Sequence, residues 1–324
     1  MDTGSIFLTT QKNFAKQALK VFRYQYESIA VYREFCDHLG KNASNVSTIH
    51  DIPFLPISFF KDRTVIAQGR EPEVVFTSSG TTGSVTSSHA VADVSLYEFS
   101  FTQAFSRFYG NPESYVILGL LPSYLERGGS SLVYMVDYLI KLSGHPDSGF
   151  YLNNLDELAD KLEQLDQAGQ NVLLIGVTYA LLDLIERKNF NLSNTFVMET
   201  GGMKGRRREM IRAELHEQLC KGFGVQSIHS EYGMTELLSQ AYSRGEGIFE
   251  CPPWMDIIIR DPEDPLTLME TGKSGGINVI DLANVHSCSF IATQDLGRKY
   301  PDGSFEVLGR FDHSDIRGCN LMVL

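Results

Sequence analysis

Between residues 114 and 233, apolar runs of strand length alternate with amphipathic stretches of helix length. The strands are "SYVILGLLP" (114–122), "NVLLIGV" (171–177), "TFVMETG" (195–201) and "VQSIHSEYG" (225–233), and the helices are "LDELADKLEQL", "TYALLDLIERK" and "GRRREMIRAELHEQLCKGFG". In the first helix, Leu155, Leu158, Leu162 and Leu165 share one face, with Asn154 as N-cap and Gly169 as stop. Strands with so few polar positions are buried on both faces, and their alternation with helices demands a parallel sheet covered on each side. The fold class is therefore α/β, with mixed, mostly parallel sheets covered by helices.

The flanks are different. Residues 13–39 carry Phe14, Ala18, Phe22, Tyr26 and Ile29 at helical spacing and predict one helix. "DIPFLPISFFKDRTV" runs extended, because each residue before a proline is pushed out of the helical region. "EVVF" (73–76) predicts a strand, and 94–110 a helix closed by Gly110. In the last quarter, "WMDIIIRDPED", "GGINVIDL", "SFIATQDL" and "SFEVLGR" are short strands separated by DP, GK and DG turns, which predicts antiparallel hairpins. No charge-rich linker divides the chain. The expectation is one unit over 1–324, with an α/β part (1–245), a β-rich subdomain (246–310) and a hinge-like tail (311–324).

A net charge of −12 over 324 residues argues against a nucleic-acid or membrane-surface partner, either of which needs a cationic face. The longest apolar run, near "YVILGLLP", is too short to span a bilayer, and the start does not read as a signal peptide. Cys36, Cys220, Cys251, Cys288 and Cys319 are odd in number and have no CxxC spacing. They suit reduced thiols in a cytoplasmic protein.

"FTSSGTTGSVTSS" (76–88) sets nine hydroxyl residues and two glycines after a strand. Backbone N–H groups of such a loop, with the hydroxyls of Ser78, Ser79, Thr81 and Thr82, can embrace an anion, and Gly80 and Gly83 permit close approach. A flexible surface loop is the plain alternative. "TGKSGG" (271–276) is dismissed as a phosphate loop, since Thr267 stands where a Walker glycine is required. It is dismissed as a nucleophile elbow because a strand follows it. "SEYGMTE" (230–236) closes a parallel strand, where open α/β sheets collect ligands. There Tyr232 can stack on a base, Gly233 can admit it, Thr235 can donate to phosphate and Glu236 can help hold Mg²⁺. Alternatively, Tyr232 packs in the core and Glu236 caps a helix.

"SSGTTG" (78–83), "YGMTE" (232–236), "TQDLG" (293–297) and "GRFD" (309–312) occur in the order and rough spacing of the adenylate-forming superfamily of acyl-CoA synthetases, luciferase and adenylation domains, which the chain resembles. "PFLPISFFK", "GVTYALLDL", "ETGGMKGRR" and "DIRGCNLMVL" resemble, within it, the acyl-protein synthetase family, the long-chain-fatty-acid–luciferin-component ligases.

The resemblance implies that Ser78, Ser79, Gly80, Thr81, Thr82 and Gly83 embrace the β- and γ-phosphates of ATP. It implies that Gly201 and Gly202 line the adenine and acyl pocket, Tyr232 and Gly233 meet the adenine, and Thr235 and Glu236 serve the α-phosphate and Mg²⁺. Asp295 would take the ribose hydroxyls, and Arg310, beside Asp312, would reach ribose or phosphate at the hinge. In the residue reading, the alternatives are a turn residue for Asp295 and half of a surface ion pair for Arg310. Only fourteen residues of this sequence follow Arg310, so the expected fold is the N-terminal domain without the mobile lid and its catalytic lysine. Lys204, Arg206, Arg207 and Arg208 are candidate replacements for that cation. Cys319 matches the family cysteine that accepts the acyl group; the other cysteines read as packing residues. His229 and His286 read as satisfied core histidines that could instead line the acyl pocket.

The expected activity is therefore ATP-dependent formation of acyl-AMP from a carboxylic, fatty acid, then transfer to a thiol. Cys319 is the leading acceptor, with a reductase or carrier protein beyond it. An acyl- or aryl-CoA ligase, with CoA as acceptor, and a silent nucleotide- or acyl-binding scaffold are the alternatives.

Overall fold

The computed structural model describes residues 1–78, 86–122, 128–152, 154–201, 207, 208 and 210–311. The chain gathers into two compact units, 1–71 with 253–324 and 72–252. The N-terminal helices thus share a unit with the β-rich quarter, whereas the sequence pattern had grouped them with the α/β part. Among the described residues, no helix is long and apolar enough to cross a membrane.

The first unit begins with α1 (Phe14–Ser28) and α2 (Ala30–His38). The single helix expected over 13–39 is broken at Ile29, which is extended (φ −112°, ψ 101°) and fully buried. The reason is tertiary. The Ser28 carbonyl, which a continuous helix would use for residue 32, instead accepts from the Gln68 amide at 2.8 Å. The proline-punctuated stretch is only partly extended: β1 (Leu55–Pro56) is followed by a single turn of helix, α3 (Phe59–Asp62).

The second unit opens with a hairpin of β2 (Val74–Thr77) and β3 (Ser88–Val91), followed by α4 (Val94–Tyr109). Asp93 caps α4 by accepting from the Ser95 amide, and Gly110 (φ 87°) ends it. There follow β4 (Val116–Leu120), α5 (Ser131–Ser143), β5 (Gly149–Tyr151), α6 (Leu155–Gln167), β6 (Val172–Val177), α7 (Thr178–Arg187) and β7 (Thr195–Thr200). Next come α8 (Arg212–Phe223), β8 (His229–Tyr232), β9 (Ala241–Ser243) and β10 (Ile248–Glu250). The strand order is β5-β4-β6-β7-β8-β9-β10, parallel from β5 to β8 and antiparallel beyond. Every residue of β4 and β6 is buried, as expected for a sheet covered on both faces. The helix expected from residue 205 begins only at Arg212. Arg207 lies outside it, its guanidinium bonded to Asp183 and Glu186 of α7.

The first unit then resumes with the expected hairpins: β11 (Met255–Arg260), β12 (Ser274–Asp281), β13 (Phe290–Lys299) and β14 (Phe305–Arg310), each antiparallel to the next. β1 adds in parallel to β13, with Leu55 opposite Ile291. Tyr32 stacks on Phe290 at 6.1 Å, and Gln25, fully buried, donates to the Asn284 and Val285 carbonyls and to Ser289 Oγ. α1 and α2 thus form the cover of this sheet.

Candidate nucleotide site

In the second unit, β2 and β3 present the hydroxyl-rich loop. Its neck is closed by Ser78: the amide donates to the Ser87 carbonyl at 3.0 Å, and Oγ accepts from the Ser87 amide at 2.9 Å. Ser78 is thus partly committed to holding the loop shut. Ser79, Gly80, Thr81, Thr82 and Gly83 lie outside the described residues. The stem is anchored on one side by Phe76, whose ring meets Tyr97 and Tyr134 at 5.5 Å each, and on another by the Thr77 amide, bonded to the Gly129 carbonyl. Gly129 (φ 86°) has no room for a side chain, since a Cβ there would stand 2.8 Å from Thr77 Oγ1.

A second motif arrives at the same stem. His89, fully buried on β3, places Nδ1 2.8 Å from the carbonyl oxygen of Thr235. Thr235 and Glu236 follow β8 in a tight turn in which the Leu237 amide donates to the Met234 carbonyl at 3.1 Å. Glu236 is buried. Tyr232 is buried as well and meets Phe249 edge-on at 6.0 Å, so one side of its ring is used in packing. Gly233 has a reason the sequence did not disclose. A Cβ there would lie 2.4 Å from Glu231 Oε1, because the Glu231 carboxyl folds back over it.

Two carboxylates of this sheet were missed by sequence reading. Glu199, near the end of β7, accepts from Arg212 Nη1 at 2.8 Å and lies 3.5 Å from His216 Nε2. Arg212 also donates to Ser230 Oγ and lies over the Phe249 ring at 5.0 Å. Burial works against the Glu199 charge, but the His216, Arg212 and Ser230 contacts outweigh it and hold the carboxyl below its ordinary range. Glu231 accepts from Thr200 Oγ1 at 2.5 Å, and among the described residues no cation is paired with it. Its desolvation, with the Glu199 charge nearby, pushes it up to about 7. Register explains the contrast: Glu199 pairs with Ser230, and Glu231 with Thr200, so the two acids point to opposite faces. On the face of Glu231, burial holds His229 down to about 4, with Tyr109 hydroxyl 3.2 Å from Nδ1.

Gly201 (φ 70°) turns the chain after β7, its carbonyl accepting from Thr178 Oγ1 at 2.7 Å. Gly202, Lys204 and Arg206 lie outside the described residues. Arg207, paired with two carboxylates, is not available as a phosphate cation in this arrangement, and Arg208 is exposed.

In the first unit, Asp295 on β13 is buried and accepts from Arg310 Nε on β14 at 3.1 Å; the arginine is 75% exposed. The two residues are register partners, so the surface-pair reading of Arg310 and the site reading of Asp295 meet in one contact. Arg260 supports this strand from beneath. It donates to the Ile277 and Thr293 carbonyls and to Asn278, and lies 5.5 Å from the Phe311 ring. Thr293 Oγ1 in turn accepts from the Asp295 amide. A Cβ on Gly276 would stand 2.7 Å from the Arg260 guanidinium carbon, so that glycine makes the arginine's room. Asp312 and Cys319 lie outside the described residues.

Cys36 and Cys288 are buried, and burial pushes both thiols up, Cys36 to about 12. Such thiols are poor nucleophiles at neutral pH. His286 is a satisfied core histidine, with Tyr24 hydroxyl 3.0 Å from Nδ1.

This fold is shared with adenylate-forming ligases. The chain superposes on an open form of 2-hydroxyisobutyryl-CoA ligase in complex with 2-HIB-AMP and CoA with a TM-score of 0.69, at 12% identity, over 94% of this chain and 72% of that one. ATP-bound MatB from Rhodopseudomonas palustris matches with a TM-score of 0.57, at 19% identity over 76% of this chain; the match spans about half (49%) of MatB.

Within that class the resemblance is to the acyl-protein synthetases, as the motifs indicate. The family model "Acyl-protein synthetase, LuxE" matches residues 8–108. The chain is also 26% identical to a long-chain-fatty-acid–luciferin-component ligase of Vibrio harveyi, over 97% of this chain and 88% of that one.

Proposed function

We propose that this protein activates a fatty acid at the expense of ATP and passes the acyl group to a thiol. The observation that carries the reading is that His89, next to the hydroxyl-rich stretch, reaches across 146 residues of sequence to the Thr235 carbonyl, so the β2–β3 stem and the turn after β8 stand together in the second unit. The Vibrio harveyi relative and the CoA ligase fold support it.

In the first step a carboxylate oxygen attacks the α-phosphorus, the bond to the β,γ-pyrophosphate breaks, and acyl-AMP and pyrophosphate form. The charge gathering on the α-phosphate oxygens requires donors already in position. Thr235 is assigned that task, with Ser78 to Gly83 on the β- and γ-phosphates and Tyr232 against the adenine. Among the described residues, no group of three or more His, Cys, Asp or Glu side chains could hold a metal by itself. Mg²⁺ needs only one or two carboxylates when phosphate oxygens complete its shell, so Glu236 fits an ion that enters with ATP. Bound there, Mg²⁺ would draw charge from the phosphates.

In the second step a thiolate attacks the acyl carbon and AMP leaves. Cys319 is the proposed thiol, and a reductase or carrier protein in the cytoplasm the onward acceptor. The CoA-bound ligase neighbour favours one second reading, release of acyl-CoA. The test is acid-dependent ATP–pyrophosphate exchange over a series of carboxylic acids, with and without CoA, followed by labelling with radioactive acid. Exchange, with hydroxylamine-labile label lost in Cys319→Ser, is the expected result. Full label on the serine variant would remove Cys319 as the acceptor, and transfer only to added CoA would make the protein a CoA ligase. No exchange with any acid would leave a scaffold.

A further inference from the structure

We infer that His89 is a positioning residue that locks the Thr235–Glu236 turn to the β2–β3 stem, and so fixes where that turn stands. The inference rests on the proposed adenylation and adds to it a residue outside every motif.

A carbonyl oxygen can only accept, so the 2.8 Å contact fixes the proton of a neutral His89 on Nδ1 and makes the ring a donor to Thr235. The donor is well placed to act as a reference. His89 is fully buried and sits opposite Phe76 in the β2–β3 ladder. Phe76 is itself 1% exposed and wedged between Tyr97 and Tyr134. The stem is further tied by the Thr77 amide to Gly129 and by Ser78 to Ser87. The turn leaves the sheet at Tyr232, and within it the Leu237 amide bonds to the Met234 carbonyl. Without the histidine, the Thr235 carbonyl would lose this donor from the stem, and the turn could settle elsewhere.

Groups that act only in the transition state lose rate when displaced, while ground-state binding spread over many contacts changes little. His89→Leu keeps the bulk and removes the donor. His89→Asn returns an N–H donor near the position of Nδ1. The expected result in acid-dependent ATP–pyrophosphate exchange is a roughly 10- to 100-fold fall in kcat for His89→Leu, with KM for ATP within about threefold, and recovery to within about threefold of wild type in His89→Asn. Rates are referred to the folded fraction, which a purely structural role would leave unaltered per folded molecule.

A second measurement does not depend on turnover: hydrogen exchange at the Leu237 amide should quicken in His89→Leu and return in His89→Asn. An active wild type whose leucine variant has an unchanged kcat would overturn the inference. So would an unchanged Leu237 exchange rate. A wild type without any exchange activity would sink the proposed adenylation, and the Leu237 protection would then decide alone whether His89 holds the turn.

Discussion

In residues 72–252 the polar groups near the motifs stand at the ends of parallel strands, packed among helices. In residues 253–311 they stand along antiparallel β13 and β14, where one partner reaches water. Glu199 belongs to the first setting, with a carboxylate 6% exposed and surrounded by Arg212, His216 and Ser230. Asp295 belongs to the second. Its carboxylate is nearly as deep, at 10%, but its arginine is 75% exposed. Two acids of similar depth thus differ in what holds the cation. Arg212 is pinned by an aromatic ring and two oxygens, whereas Arg310 is held at its Nε by a single contact among those described. A pinned cation belongs to the architecture; a loosely held one can be exchanged for a ligand.

The largest effect should come from Glu236→Gln, which keeps shape and removes charge. Acid-dependent pyrophosphate exchange should fall by about 100-fold or more, with thermal unfolding nearly unmoved. A variant with normal exchange would remove Glu236 from the chemistry and weaken the contrast.

Arg212→Met tests the pinned cation. It leaves Glu199 buried beside His216 and Ser230 without its arginine and should cost about 2–4 kcal/mol in urea unfolding. Adding Glu199→Gln should recover part of that loss. A cost below about 1 kcal/mol would place Arg212 with Arg310 rather than apart from it.

Glu231→Gln tests the acid that is bonded to Thr200. A carboxyl raised from 4.5 to about 7 in the folded state stabilises fully below about 4.5, and that contribution is lost as pH rises through about 7. Unfolding measured across this window should show wild type losing on the order of 2 kcal/mol relative to the glutamine variant. His229 has the opposite sign. Lowered from 6.5 to about 4, it contributes stability above about 6.5 that is lost as pH falls through about 4. A pH-independent difference between Glu231→Gln and wild type would mean that Glu231 is solvated.

The smallest change in stability should be that of Arg310→Ala, under about 1 kcal/mol because the guanidinium is mostly in water. A loss as large as that of Arg212→Met would erase the distinction between the two arginines.

The sheet was legible because continuous apolar runs leave few other choices, and the hairpins because turn dipeptides separate them. The break at Ile29 was not, since the helical periodicity runs through it and only the bond from Gln68 to Ser28 interrupts the helix. The late start of α8 was hidden for a similar reason: Arg207 reads as an exposed helical residue until Asp183 and Glu186 take it. Among the candidate residues, Thr235, Glu236, Asp295 and Arg310 stood out through their motifs. Glu199, Glu231 and Arg212 did not, because a lone acid in a strand reads as solvent-facing until the register shows which face it occupies. His89 escaped because its partner is a backbone carbonyl, which has no signature in sequence.

The pairing of β1 with β13 also governs the order of events during synthesis. Leu55 must wait for Ile291, and at about 5–20 residues per second the ribosome needs roughly 12–47 seconds to make the intervening chain. Throughout that interval the apolar faces of α1 and α2, with Phe22, Tyr32 and Phe54, have no sheet to cover. Residues 72–252 are complete much sooner and can fold in the meantime. A nascent chain arrested near residue 252 would therefore expose a sticky amino-terminal segment beside a finished α/β unit, and holdase chaperones should capture it there.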